Sequence, residues 1–594
     1  MTGTTSAQID ILIDGAPLDP MVYGLLVSAE VDTSLSMPSQ FRLVFRGPRT
    51  TVLEGGGLQL AAMVRLQVTT GGAPTPLLTG EITAVEVDYS PDGNLTIVRG
   101  LDRSHRLMKG TKTMAYPDMT ASGAVTALVA EAGLLPGEIV STSTVYPWLT
   151  QANVSAWVFI QQMAALENCV AYVDAMGLFN FGPMTRPQAG LPPVMTYDLP
   201  PEGTQLVMGR NLVRLRASVT SSEQVPEVNV MGWDPTMNMP VMGLGPSLPS
   251  TAQSIDPATL PAAVAEEFGA TPFFETSRPF DTEGAASTRA RAIAADISGA
   301  LAELEGQCLG NPAILAGESV SLGMAGPPFD GQYVVSSARH VFDPYNGGYT
   351  TWFTVGGRQD RSLYALTSGG GGGGGAGTRP EVPGVVLATV TDNMDQEKLG
   401  RVKVMFPWLS DSYVSAWAPT VQMGAGVGGY GCLWLPEVGD QVLVAFDRGD
   451  VGHPYVIGNL YNSQRRPEPP PSIDGAVASR RIMSRMRHSV QFDDGPSALG
   501  ITISDGDKTV TIKLDAEQQA ITVTSAGQVT IEAAQGISMK SGGPFSVDAG
   551  GDISIKGVGV SVDSASSLSM VGASGATLEG ANVSITAPLI NLGA

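Results

Sequence analysis

The chain has little from which a chemical centre could be built. Its 594 residues include three cysteines and four histidines. Cys169, Cys308 and Cys432 are far apart and odd in number, so no disulfide framework or zinc knuckle is readable, and free buried thiols in a reducing compartment are expected. His105, His340, His453 and His488 fall in four separate stretches, with no HExxH and no helical pair. That spacing excludes the common local metal motifs, and no metal or cofactor is expected. Charged residues make up only 15%, and acids outnumber bases 56 to 34, giving a net charge of −22. An acidic chain is a poor general partner for nucleic acid or an anionic membrane. The N-terminal stretch MTGTTSAQID has no basic flank and no apolar core, so neither a signal peptide nor a membrane span is expected.

Glycine (72) and proline (42) are abundant instead, which suits short strands and turns rather than long helices. The strongest pattern lies in the last hundred residues. Apolar–small polar–apolar triplets start at Ile521, Val529, Ile537, Phe545 and Ile553, eight residues apart. They continue, with slips of one, at Val560, Leu568, Ala576, Val583 and Ile590. Side chains alternate across a strand, so the outer two residues of each triplet face one way and the Ser, Thr or Asn faces water. The inward set is Ile521, Val523, Val529, Ile531, Ile537, Met539, Phe545, Val547, Ile553, Ile555, Val560, Val562, Leu568, Met570, Val583 and Ile585. Gly527, Gly536, Gly543 and Gly550 fall between triplets, where corners need them. This is the signature of a β-solenoid. One short strand per octad cannot enclose a core alone. Either three octads of one chain make a turn, or three chains wind together into a needle of roughly 50–60 Å at about 4.8 Å per layer.

The rest divides at two compositional breaks. The glycine run 368–378 reads as a flexible linker, and Arg466–Pro471 as a short stiff spacer. The expected parts are 1–367, mixing strands and helices; 379–463, all strand; a connecting segment 464–500; and a needle at 501–594. In the first part, strands are expected at Ile9–Ile13, Phe41–Phe45, Gly80–Val87 and Leu95–Val98, with a hairpin turn at Pro91–Asn94. Helices are expected at 122–132, 155–168 and 286–304, and strands return over 331–356. In the second part, strands at Val385–Leu387, Arg401–Phe406, Gly431–Leu435, Gln441–Phe446 and Tyr455–Ile457 match the size of a small OB-type barrel.

Other motifs read as scaffolding. Gly424–Gly429 matches G-x-G-x-x-G but leads to a strand-like run rather than a helix, so it reads as a loop. Gly110–Thr113 resembles the end of a phosphate loop, but His105 stands where glycine is needed. Asp447, Asp450 and His453 read as turn-forming polar residues rather than an acid–base pair. Asp493 and Asp494 follow Arg480, Arg481, Arg485, Arg487 and His488, which reads as interchain ion pairing at the start of the needle.

Several stretches carry a family resemblance. They are Gly400–Trp408 (GRVKVMFPW), Trp417–Pro419, Leu435–Phe446 (LPEVGDQVLVAF), Gly449–Asp450 and Pro454–Tyr461 (PYVIGNLY), in that order. The series resembles the spike proteins of contractile injection machines: the VgrG proteins of type VI secretion, contractile-phage baseplate spikes and the spikes of phage-tail-like particles. Arg99–Leu107, Gly331–Ser336 and Tyr349–Phe353 are similar to the hub domain of that family. The resemblance implies a mainly β multidomain homotrimer of phage-hub-like β-barrels with helical insertions, an OB-fold barrel and a C-terminal triple-stranded intertwined β-helix. It implies a structural central spike, not an enzyme, linking a hexameric inner tube and baseplate proteins to a membrane-puncturing needle. A PAAR-type tip protein would sit on the blunt end at Leu589, Ile590 and Leu592, and cargo effectors could ride on the particle. Assembly would be in the bacterial cytoplasm, with delivery to or across a target envelope on contraction. Only about 40 residues separate Asn462 from Ile501, too few for an inserted lysozyme, and no effector is expected after Ala594. The rival readings are a cell-wall-degrading baseplate enzyme and a surface-binding β-solenoid adhesin.

Overall fold

The computed structural model describes residues 7–591 apart from 71, 92, 185–203, 249–252, 255–260, 345–347, 357–380, 469–471, 474 and 496–497. The glycine run 368–378, Asp92, Pro469–Pro471 and Leu592 therefore lie outside the described residues. The chain forms two compact units, Met1–Arg466 and Pro467–Ala594.

Strand sequences that alternate apolar and polar residues build the first unit. An eleven-stranded sheet runs in the order Leu212–Val219, Ala302–Leu309, Gly348–Val355, Ser337–Asp343, Leu26–Ser34, Gln40–Arg46, Gly93–Asp102, Thr75–Ser90, Met63–Thr69, Gln8–Ile13, Ala16–Pro17. It serves two cores. One gathers Ile11, Val31, Phe41, Phe45, Val64, Leu66 and Val98. The other gathers Leu304, Cys308, Ala338, Phe353 and Val355 with Val320, Leu322 and Tyr333 from a smaller sheet. Alternation along each strand gives it one buried face, and one continuous sheet joins the two cores. The link is the antiparallel pairing of Leu26–Ser34 with Ser337–Asp343, which brings the two ends of this region together.

Helical insertions form a third core. Helix Ala121–Glu131 is capped by Thr120, whose hydroxyl accepts from Gly123 N at 3.2 Å. Helix Ala156–Leu166 is capped by Ser155, which accepts from Val158 N at 3.3 Å. Trp157, Ile160 and Met163 are buried with Phe179 and Phe181 of the neighbouring strands. The third helix, Glu283–Gly299, lies against the hairpin Glu227–Asp234/Met239–Pro246. Gly243 and Gly245 permit this approach. A Cβ on Gly243 would come within 2.2 Å of the Ala286 backbone, and one on Gly245 within 2.3 Å of the Ala290 carbonyl. The sequence reading carried this helix to residue 304. It stops at Gly299, because Ala302, Leu304, Gly306 and Cys308 are buried at every second position, the period of a strand.

The OB barrel is a five-stranded sheet in the order Ala418–Pro419, Arg401–Met405, Val385–Asp392, Gln441–Phe446, Pro454–Asn459. Its core holds Val390, Val402, Val404, Phe406, Val442, Val444, Phe446 and Val456. The strand expected at Gly431–Leu435 is absent, and Ala418–Pro419 supplies the fifth instead. Leu433 and Trp434 are exposed, and Trp434's N–H and carbonyl are met by the Gln422 side chain rather than a ladder. The G-x-G-x-x-G match lies in the loop before them, where Ala425 bridges Gly431.

In the second unit a short ladder of Ser472–Ile473 with Ala476–Val477 precedes an antiparallel meander of five strands: Ser479–Met483, Ser489–Gly495, Ala498–Ser504, Val510–Asp515 and Ala520–Ser525. Register sorts its side chains cleanly. Ile482, Val490, Ile503, Ile512 and Val523 form one cross-strand row, and Arg480, Phe492, Ile501, Leu514 and Ile521 the next. Both rows lie on one face. The intervening row, Arg481, Gln491, Thr502, Lys513 and Thr522, lies on the other. Ile521 and Val523, the head of the octads in the sequence, therefore belong to a paired strand. From 527 to 591 the described chain forms no strand within itself.

Candidate functional site

The Arg99–Leu107 motif turns a corner beside the long sheet. Glu81 is buried and accepts from Arg106 Nε at 3.1 Å, faces His105 Nε2 at 3.2 Å and pairs with Arg103 Nε at 3.2 Å. Burial alone would raise the Glu81 carboxyl. The hydrogen bonds from Arg106 and His105 and the charges of Arg106 and Arg103 bring it below its usual value. Asp102 accepts from Ser104 N at 2.7 Å and Ser39 N at 2.5 Å, and burial pushes it up to about 6. Each of these carboxylates is engaged by the side chains or backbone that fold the corner, so the cluster holds the turn.

His340, in the same sheet, is fully buried. Its Nε2 lies 3.0 Å from the Ile314 carbonyl and its Nδ1 2.8 Å from the Tyr349 hydroxyl. Since only an N–H can meet a carbonyl, Nε2 carries the proton and Nδ1 accepts. Burial pushes this imidazole down to about 4. Asp450 in the OB barrel is buried and accepts from Gly452 N at 2.8 Å, with His453 Nδ1 also at 2.8 Å. Asp447, Asp450 and His453 thus build the turn before Pro454–Asn459, as expected for turn-forming residues.

The OB barrel is locked from two sides. Asp395 accepts from Arg401 Nη2 at 2.7 Å and Nε at 3.0 Å and from Leu399 N at 2.9 Å, fixing the turn that leads into Arg401–Met405. The Arg401 hydrogen bond holds the Asp395 carboxyl down at about 2. On the hub side, Tyr413 Oη lies 3.4 Å from Trp148 Nε1 and 3.3 Å from Thr150 Oγ1, and Ala152 enters the barrel core. Arg448 Nη1 donates to the Arg278 carbonyl at 2.6 Å. These docking contacts were not read from the sequence. Trp148 and Tyr413 are far apart in the chain, and neither stands in a motif.

The second unit has the opposite character. Among its described residues, from Pro467 onward, none is buried. Val529, Ile531, Ile537, Met539, Phe545, Val547, Ile553, Ile555, Val560, Val562, Leu568, Met570, Val583 and Ile585 are all exposed within the single chain, as are Leu589 and Ile590. Ile531 is 65% exposed. A monomer seldom presents a contiguous apolar surface of this extent unless something covers it. The ion pairing expected between chains near the start of the needle is met within the chain for three of the residues named there. Arg480 pairs with Asp494, and Arg487 Nη2 lies 3.2 Å from Glu468 Oε2. Cys169 and Cys308 are buried thiols, as expected, but Cys432 is only half-buried.

Residues 386–461 match a family described as the type VI secretion system/phage-baseplate injector OB domain. The type VI secretion system spike protein VgrG2a of Pseudomonas aeruginosa is 30% identical over 127 residues, 20% of this chain and 15% of that protein. Over that stretch the chain is similar to VgrG spike proteins. The spike protein VgrG3 of Vibrio cholerae is 37% identical over 93 residues, covering 14% of this chain and 9% of its own length. The matched stretch thus spans under a sixth of these VgrG relatives. A solved E. coli type VI secretion component, described as similar to T4 tail proteins gp27 and gp5, aligns with 76% of this chain and 99% of its own, at 15% identity and a TM-score of 0.46. A second family, described as the Alg8 N-terminal domain, overlaps residues 71–343, less than half of the chain. Among the described residues no helix is long and apolar enough to cross a membrane.

Proposed function

We propose that this VgrG-like chain is the central spike of a contractile injection machine and acts mechanically as a homotrimer. The observation that carries the reading is the second unit: a regular run of apolar triplets in a body that buries nothing by itself. Three chains wound about one axis would turn each outer pair of a triplet inward and give every strand a neighbour, leaving no lateral sheet edge. The nine triplets from Val529 to Ile590 would then form a rod of roughly 45 Å at about 4.8 Å per layer. The OB barrel, docked on the hub through Tyr413, would couple rod to hub, and the hub would sit on a hexameric inner tube among baseplate proteins. Leu589, Ile590 and Leu592 would offer the apolar end to a PAAR-type tip protein. The particle would be assembled in the bacterial cytoplasm and driven to or across a target envelope by contraction, with no catalytic step by this chain.

Hydrogen exchange of the purified full-length protein tests the reading. Amides across 529–591 should exchange slowly, because strand pairing between chains protects them. Immediate exchange over that stretch would overturn it.

A further inference from the structure

Apolar octads that resemble one another create a register problem. Any octad of one chain could pack against almost any octad of the next, since each offers the same apolar–polar–apolar triplet, and a uniform pattern specifies register weakly. The charges in the same stretch are far from uniform. Residues 526–594 carry seven charged side chains: Glu532, Lys540, Asp548, Asp552, Lys556, Asp563 and Glu579. All but Asp552 occupy one position of the frame, directly after a triplet. Along that position the sign alternates: Glu532 negative, Lys540 positive, Asp548 negative, Lys556 positive, Asp563 negative. Val571 follows as a blank, then Glu579.

Strand alternation puts this position on the same side as the middle Ser or Thr, away from the inward pair. All six residues are exposed, and no ion pair joins any of them to a described residue of their own chain; Asp563 accepts only from the Ser561 hydroxyl at 3.4 Å. The charges of the preceding meander are different, with Lys513 Nζ 2.9 Å from Asp515 Oδ2 and Arg480 paired with Asp494.

We propose that these residues form an alternating charge ladder between copies of this chain that sets their axial register. The proposal rests on the three-chain winding given above. In that winding each chain advances one face and one layer per octad, so the strand above octad n on any face is octad n + 1 of the next chain. Glu532 then meets Lys540 of a neighbouring copy, Lys540 meets Asp548, Asp548 meets Lys556, and Lys556 meets Asp563. All these contacts join opposite charges in adjacent layers. Sliding one chain by one octad sets Glu532 against Asp548 or against another Glu532, and Lys540 against Lys556 or another Lys540. Like charges in adjacent strands repel, so the ladder penalises slipped assemblies that the apolar triplets alone would accept. The occupant it selects is a second copy of this chain in one register.

The test uses two full-length variants. K540E/K556E makes the five alternating positions 532–563 wholly acidic, and E532K/D548K/D563K makes those five wholly basic. Each alone should lose trimer at low salt, at concentrations where the unaltered chain stays associated, and regain it at high salt, where exposed charges are screened. Refolded together, the two should form mixed trimers at low salt more readily than either forms its own, because two of the three chain-to-chain contacts in a 2:1 trimer then join opposite charges. The ladder is overturned if K540E/K556E stays trimeric at low salt with an unchanged thermal midpoint. It is also overturned if both variants are impaired but mixing does not rescue them, since the charges would then act within one chain. Ile531→Asp separates this failure from failure of the winding itself. A monomeric Ile531→Asp beside an unaffected K540E/K556E removes only the ladder, whereas a normal trimer from Ile531→Asp removes the winding.

Discussion

Placing a carboxylate at Ile531 should abolish assembly while leaving the first unit folded. Ile531 is an outer member of the triplet Val529–Ile531 and is exposed in the single chain, so its burial must come from other copies. Withdrawing an isoleucine from water contributes about 1.5–3 kcal/mol, so three copies lose about 4.5–9 kcal/mol per trimer. Three carboxylates brought together on the axis add several kcal/mol each in unpaired desolvation, unless they take up protons. The sum exceeds about 10 kcal/mol, roughly seven orders of magnitude in association. Light scattering coupled to size exclusion should show Ile531→Asp as a monomer whose hub and barrel still melt cooperatively. Ser538→Asp, at the outward middle of the next triplet, should remain assembled. A normal trimer from Ile531→Asp would refute the inward orientation of the outer pair.

Three other outcomes follow from the first unit and the ladder. His340 titrates near 4 when folded and about 6.5 when unfolded, so the unfolded chain binds the extra proton between those values. The hub should therefore lose stability as pH falls from about 6.5 through about 4, by about 3 kcal/mol at the limit, and His340→Gln should flatten that dependence in denaturant melts. Gly243→Ala forces a Cβ into the backbone of helix Glu283–Gly299 and should lower hub stability by about 1–3 kcal/mol, with Ser287→Ala nearby as a milder control. The charge-reversed pair K540E/K556E should make assembly depend on salt where the unaltered chain does not.

The barrel was legible because its strands are short, alternating and bounded by turn residues: Arg401–Met405 and Gln441–Phe446 lie where their periodicity puts them. Gly431–Leu435 misled because an apolar run reads as a buried strand whether or not a partner exists to pair with it. The overlong helix to 304 arose because Ala300, Leu301 and Ala302 suit either period, and only Leu304, Gly306 and Cys308 resolve it. The meander was hidden by the octads. Ile521–Val523 fits the eight-residue beat, and its place on a five-strand sheet follows only from pairs such as Leu514 with Ile521. His105 and Arg106 were visible within the Arg99–Leu107 motif, but their partner Glu81 lies outside it and meets them only through the pairing of Thr75–Ser90 with Gly93–Asp102. The triplets were legible because the sequence repeats them; what covers them is a matter between chains.

The solution mass of the purified full-length protein tests the account most directly. Three times 61.6 kDa is the expected result, with the octads as the joining surface. A stable monomer at 61.6 kDa, with 529–591 protected from exchange, would contradict it and show that the octads coil within one chain.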